Sequence, residues 1–475
     1  MNKHSLTAIL VGLGLSFGLY YIWFLAQQRE MGSPQLPETV ARSAENPSAT
    51  STVSSAQGAV SIEARIASTH LSAGATRTHV LLHARTGDSA TRTVRVPSNV
   101  VLVIDRSGSM AGAWIENAKL SAEHVLDSLQ DGDRIALISY ATDAQIDYPS
   151  TLLNSSSRSA VRNTIRNLRV GGGTCISCGL TMGQAQLSKG QAESGVSRVI
   201  LFSDGQANTG IVDLDQLASL ARDIERSGST VSSVGVGLDY NESLMMQLAV
   251  SGNGNHYFVE NPTQLASILK EEMNSLQQLV AKRVVATFEL AEGVTFIKGY
   301  DRPFEVEGRR VFVSLGDMPA SSERTALFEV SLPAGPEGMR MLSTLSVGYE
   351  DLVASKAQHV EHSLSYIATS DLESINRGVD HVVLARLEQA KLADTLAEAN
   401  ELIRNGDVEQ AKSTVRKQIQ LSRDNNMVYG STNLNLQIEI LEEAAGEMDA
   451  PAMATGKGRS AGVKKNVERQ RSILY

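Results

Sequence analysis

Cysteine is almost missing from this chain of 475 residues: there are two, Cys175 and Cys178, spaced C-x-x-C. So low a count excludes a disulfide framework, and nothing in the sequence groups His124 or His256 with the pair as a zinc site. Basic charge is not in excess either, with 43 Lys and Arg against 52 Asp and Glu and a net charge of −9. No domain-wide basic face is implied, which argues against nucleic acid as a partner. No internal repeat of about 34 residues is found, so no helical array is expected.

Long apolar runs are also scarce. The one that stands out covers residues 6–26, which hold no charge. About twenty apolar residues at 1.5 Å rise each span a bilayer core. Tyr20, Tyr21 and Trp23 sit near one end, where amphipathic rings favour the interface. The run Phe24-Leu25-Ala26 lacks the small residue that a cleavage site wants, so an uncleaved anchor is expected over a removed signal peptide. Lys3 ahead of the run places the N-terminus in the cytoplasm and the body outside it, in a periplasm or at a cell surface. One span cannot make a pore.

What is present is a sequence of distinct patterns. Residues 1–30 are the expected transmembrane anchor and 31–58, rich in Ser, Ala, Pro, Thr and Gln, a flexible linker. Residues 59–98 carry short runs with period-two alternation (VSIEARIA, THVLLHAR, TRTVRV), the signature of half-buried antiparallel strands. Over 99–278 apolar strands alternate with helical stretches, which predicts a doubly wound, mainly parallel sheet. Alternating strands return over 279–369, and the economical arrangement is one β-sandwich built from both flanks with the α/β domain inserted. Residues 370–449 read as helical, with a stop at Asn405-Gly406, and 450–475 as a basic, disordered tail. The fold class expected is thus multidomain α/β plus β, with a helical segment after it.

Chemistry concentrates on the stretch Asn99 to Met110, NVVLVIDRSGSM. An apolar run without polar alternation reads as a strand buried on both faces, and this one ends on Asp105. Asp105, Ser107 and Ser109 then offer oxygen at alternate positions around Gly108. Oxygen ligands on a short turn suit a hard divalent cation such as Mg²⁺. Two further segments supply oxygen: Thr174 after Gly171-Gly172-Gly173, and Asp204 at the end of another apolar run. In a doubly wound sheet both carboxylates fall at carboxyl ends of strands, where ligands bind.

DRSGSM, GGGT and SDG, in that order on alternating strands and helices, resemble the von Willebrand factor type A domain and its metal-ion-dependent adhesion site. The triplet at 132–134, GDR, and VGVG at 234–237 are similar to further landmarks of that family. The flanking strands more distantly resemble the β-rich region of inter-alpha-trypsin inhibitor heavy chains, as in bacterial membrane-anchored proteins of this type. The resemblance implies that Ser107, Ser109 and Thr174 bind the cation directly, with Asp105 and Asp204 direct or water-mediated ligands. It implies Mg²⁺, with Mn²⁺ or Ca²⁺ as substitutes, and an open position for an acidic side chain of a protein partner. Cys175 departs from the family, which usually has a polar residue there; space-filling, a structural disulfide with Cys178 and a redox pair all stay open.

A membrane-tethered, non-enzymatic binding module is therefore expected. A thiol-disulfide redox protein using Cys175 and Cys178, or a scaffold for an AAA+ ATPase, are the alternatives. Metal-dependent hydrolysis is disfavoured because no His or Glu is placed by motif near Asp105.

Overall fold

The computed structural model describes residues 52–87, 97–190, 195–203, 207–236, 241–259 and 262–474. The expected anchor, most of the expected linker and Asp204 lie outside those residues. Among the described residues no helix is long and apolar enough to cross a membrane.

Four strands come first: β1 (Thr52–Gln57), β2 (Val60–Ile66), β3 (His70–Ser72) and β4 (Thr76–Thr86). β1 lies within the stretch expected to be linker. It pairs antiparallel with β2 over its whole length, because a Ser- and Ala-rich segment is still a competent edge strand when a neighbour offers a backbone ladder.

The inserted α/β unit follows, with strands and helices largely in alternation. It comprises β5 (Ser98–Asp105), α1 (Ala113–Ser128), β6 (Arg134–Tyr140), β7 (Ala144–Leu152), α2 (Ser155–Arg166) and α3 (Ile176–Leu187). Then come β8 (Val196–Ser203), α4 (Leu214–Arg226), β9 (Thr230–Val236), α5 (Glu242–Ser251), β10 (Asn253–Val259) and α6 (Leu265–Gln277). Strand order is β10-β9-β8-β5-β6-β7, parallel except for β7. β7 carries Pro149, which cannot donate to a ladder and belongs on an edge. All residues of β5, β8 and β9 are buried, as expected for strands covered on both faces. Successive β5 side chains serve opposite cores. Val100, Leu102 and Ile104 pack with α1, α2 and α6, whereas Val101 and Val103 pack with α3, α4 and α5.

The chain then returns to the first flank through β11 (Leu279–Leu290), β12 (Thr295–Gly299), β13 (Glu305–Glu307), β14 (Arg310–Pro319), β15 (Glu323–Leu332), β16 (Gly338–Asp351) and β17 (Lys356–Thr369). One sheet has the order β1-β2-β4-β15-β12 and the other β13-β14-β11-β16-β17-β3, so each contains strands from both sides of the insertion. β4 and β15 pair antiparallel from Thr76↔Leu332 to Arg85↔Glu323. Phe288 of β11 meets Phe328 of β15 edge-on at 4.8 Å across the core.

Helices α7 (Leu372–Arg377), α8 (His381–Asn405), α9 (Val408–Tyr429), α10 (Thr432–Glu447) and α11 (Gly456–Leu474) complete the chain. Gly406, in the left-handed region at φ 94°, ends α8. The expected disordered tail is corrected here: it forms α11, with Val463, Asn466, Val467 and Ile473 buried. Two of its basic residues, Lys465 and Arg469, pair with Glu447 of α10. Arg469 donates to Glu447 at 3.0 Å, and Arg386 donates to the carbonyls of Ile473 and Leu474 at 2.9 and 2.6 Å while reaching Asp301 at 3.1 Å.

The inserted unit rests on the sandwich by the end of its sheet opposite the carboxyl ends of β5 and β8. There Arg198 donates to Glu272 at 2.7 Å, and Glu272 also accepts from Asn255 at 2.9 Å, Tyr257 at 2.8 Å and Ser232. Burial alone would raise the Glu272 pKa, but the Arg198 charge and these donors outweigh it and hold the carboxyl below its ordinary 4.5. The adjacent Asp317 of β14 is pushed up by burial, against the pull of Arg198.

A depressed carboxylate stabilises the fold above its unfolded pKa and loses that contribution as pH falls through the folded value. Unfolding midpoints in urea should therefore drop as pH falls below 4.5, the ordinary value for Glu272. Glu272→Gln should cost about 3–5 kcal/mol at pH 7, because Arg198 stays buried without its counter-charge, and should flatten that acid limb. Parallel acid limbs in parent and variant would show that the pair does not govern acid stability.

Candidate functional site

Asp105 closes β5 between β8 and β6, where the strand order of the sheet reverses direction along the chain. A crevice at such a point is open to loops from both sides. The Asp105 side chain is fully buried, so its charge must be met by donors. Its Oδ1 accepts the Ser107 N–H at 2.8 Å, which folds the following turn, and its Oδ2 accepts the Ser203 hydroxyl at 2.9 Å, which ties in the end of β8.

The turn that results is a single 3₁₀ turn, Gly108–Met110, closed by Met110 N–H to the Ser107 carbonyl at 3.1 Å and anchored by the buried Met110 side chain. It leaves Ser109 exposed beside the buried Ser107, with their hydroxyl oxygens 3.1 Å apart. The second loop is fastened to the first by backbone hydrogen bonds. Gly108 N–H donates to the Gly172 carbonyl at 3.2 Å, and Gly171 N–H to the Arg106 carbonyl at 2.8 Å. Gly172 can do this because it sits at φ 90°, a region that side-chain-bearing residues avoid.

Thr174 is 3% exposed and held from two directions. Its N–H donates to Asn208 Oδ1 at 2.8 Å, and its carbonyl accepts the N–H groups of Asn208 at 3.1 Å and Thr209 at 3.3 Å. Thr142 Oγ1 accepts the Gly173 N–H at 2.9 Å. Asn208 and Thr142 are thus positioning residues that reading the sequence missed. Both lie in polar loops of ordinary turn composition, and nothing in their local pattern marks them as partners of the glycine loop.

The structure therefore brings Asp105, Ser107 and Ser109 into one turn and the glycine loop that bears Thr174 against it. Among the described residues no group of three or more His, Cys, Asp or Glu side chains could hold a metal, and the oxygens brought together here are serine hydroxyls above the Asp105 carboxylate. The donor set fits one. Ligands in adjacent positions of an octahedron with bonds of about 2.1 Å lie about 3.0 Å apart, close to the separation of the two serine hydroxyls. Both Asp105 oxygens already accept protein hydrogen bonds, which suits a carboxylate that orients hydroxyls and bound water.

Cys175 caps the N-terminus of α3, directly after Thr174, and is joined to Cys178 by a disulfide. Cys175 is fully buried and Cys178 half-buried.

Residues 99–271 match the family model of the von Willebrand factor type A domain. The chain is 34% identical over 242 residues to the uncharacterized protein YfbK of Escherichia coli (strain K12), a match that covers 50% of this chain and 42% of that protein. It is 23% identical over 297 residues to inter-alpha-trypsin inhibitor heavy chain H1 of Bos taurus, covering 58% of this chain and 32% of the relative. The chain thus spans less than half the length of both relatives. Among solved structures it is similar in fold to a von Willebrand factor type A protein from Catenulispora acidiphila, with a TM-score of 0.68 at 18% identity, covering 87% of this chain and 97% of the other.

The glycine loop makes a sharp prediction. A Cβ on Gly172 would lie 2.8 Å from Thr142 Oγ1 and 3.2 Å from Ala141 Cβ, at a φ that L-residues rarely adopt. Gly172→Ala should cost about 1–3 kcal/mol in urea unfolding. Gly108→Ala, whose nearest neighbour would be 3.9 Å away, should stay within about 0.5 kcal/mol. Equal costs would mean that the left-handed loop is not a constraint.

Proposed function

We propose, on the premise that residues 99–271 form a von Willebrand factor type A domain, that this chain is a cation-dependent protein-binding module and not an enzyme. The observation that carries the reading is the pair of serine hydroxyls 3.1 Å apart, held over a buried Asp105 and against the loop of Thr174.

Each residue has a part. Ser107, Ser109 and Thr174 would hold the cation through neutral hydroxyls. Asp105 and, by its motif, Asp204 would orient those hydroxyls and any water between. When bound, the cation supplies a Lewis-acidic position with few formal negative charges around it, to which an external carboxylate is attracted. The partner would accordingly be a protein presenting an Asp or Glu side chain. Oxygen donors in a small turn favour Mg²⁺; Mn²⁺ and Ca²⁺ have compatible ligand chemistry.

Placement outside the cytoplasm is part of the proposal, supported by the charge-free run at 6–26 with Lys3 before it and by a disulfide, which persists in oxidising compartments. In that topology a cytoplasmic AAA+ ATPase is out of reach of the body. A thiol-disulfide oxidoreductase is the weaker reading, because the first cysteine of its pair is fully buried at a helix cap.

Thermal unfolding of the full-length chain in EDTA, then with Mg²⁺ or Mn²⁺, tests the cation. A ligand present at a hundred times its Kd stabilises the folded state by about 2.7 kcal/mol. The parent midpoint should rise with metal, and Asp105→Ala should not respond. Ser109→Ala, at an exposed position, should keep the fold while losing most of the response. No rise in the parent, together with no metal bound in equilibrium dialysis, would sink the reading.

A further inference from the structure

The loop that clamps Thr174 also covers the disulfide. Asn208 and Thr209 bind the Thr174 backbone, and two residues on from Asn208 Gly210 faces the sulfur with no room for a side chain between them. A Cβ at Gly210 would stand 2.4 Å from Cys175 Sγ, 2.6 Å from Ser177 Oγ and 3.6 Å from Cys178 Sγ. Ser177 Oγ in turn accepts the Ile211 N–H at 3.0 Å and lies 3.5 Å from Cys175 Sγ. Cys175 N–H donates to the Ala141 carbonyl at 2.7 Å, one residue from Thr142, which holds Gly173. Disulfide, glycine loop and the 208–211 segment therefore form one packed unit around Thr174.

We propose that the Cys175–Cys178 disulfide is a thiol-addressable control on the cation site, with the oxidised form binding the cation tightly and the reduced form weakly. This rests on the cation-binding reading above. The control is directional. Cys178 is the half-buried sulfur and Cys175 the buried one, so an external dithiol, as its thiolate, attacks Cys178. The S–S bond breaks with its electron pair on Cys175, and a mixed disulfide forms between Cys178 and the dithiol. The second thiol of the same dithiol then attacks its own sulfur in that mixed disulfide, releasing Cys178 as thiolate and leaving the dithiol oxidised. Two electrons and two protons have then moved from the dithiol to the protein, which is left with two thiols.

Reduction reaches the cation through packing. Two thiols must separate to van der Waals contact, about 3.5–4.0 Å between heavy atoms. Gly210 leaves no space on its side, so the 208–211 segment gives way and with it the Asn208 bonds that fix Thr174. The uncrosslinked loop also has more conformations to lose when a cation orders it.

The test uses the full-length chain, oxidised or treated with dithiothreitol, with free thiols counted and Mg²⁺ binding followed by calorimetry. Reduction of the folded protein should weaken Mg²⁺ binding at least tenfold. Linkage requires the reciprocal effect: Mg²⁺ should make the disulfide harder to reduce, by about 30 mV for each tenfold. In Thr174→Ala, where the coupled ligand is gone, Mg²⁺ should no longer move the reduction midpoint. Oxidised and reduced chains binding Mg²⁺ within twofold of each other would overturn the control and leave the cation site standing. Thiols that appear only on unfolding would overturn it too. No Mg²⁺ binding in either form would remove the cation reading and the control together.

Discussion

The antiparallel ladder between β4 and β15 joins two segments separated by the whole inserted domain. Neither flank can bury its apolar face alone. β2 and β4 bring Ile62, Val80 and Leu82, and β11, β14 and β15 bring Phe288, Val313 and Phe328, to one core. That core exists only when both flanks meet, so the insert must present its two ends close together. It does so at one end of its own sheet, where β5 begins and α6 runs into β11. The carboxyl ends of β5 and β8, with the Asp105 turn, consequently lie at the opposite end of that sheet.

The site inherits its rigidity from that sheet. Asp105 sits at the end of a strand with no exposed residue, and the cost of burying its charge is met by the Ser107 amide and the Ser203 hydroxyl. These bonds put two hydroxyls at ligand spacing. The same logic governs the far end of the sheet, where the buried Arg198 and Glu272 are tolerable only as a paired and fully hydrogen-bonded set. Buried charge thus does two jobs in one domain: folding the hydroxyl-bearing turn at one end and joining β8, β9 and β10 to α6 at the other.

The helical segment is fastened rather than appended. Arg386 ties the last carbonyls of α11 to Asp301 of the sandwich, and Arg404 of α8 reaches Glu242 and Ser243 at the start of α5. A basic stretch that composition assigned to solvent is a helix because α10 offers Glu447 and α8 offers Asn400 to it. Charge patterning describes a segment by itself, whereas pairing depends on what lies opposite.

The alternation of apolar strands with helices over 99–278, and of period-two strands on either side, was sufficient to state the α/β sheet, the sandwich and the insertion. That is because burial on two faces, one face or a helical stripe each leaves its own periodicity. DRSGSM and GGGT were legible for a related reason: oxygen at alternate positions beside glycine is local chemistry, complete within a few residues. What only the tertiary structure decided is everything that depends on distant segments. It gave Asn208 and Thr142 to the Thr174 loop, joined Cys175 to Cys178 under Gly210, made a strand of 52–57 and a helix of the basic end. The Thr174 loop and the basic end are settled by partners far along the chain, and sequence periodicity carries no information about which far segment arrives; β1 and the disulfide use near neighbours, in a segment and a spacing that composition left open.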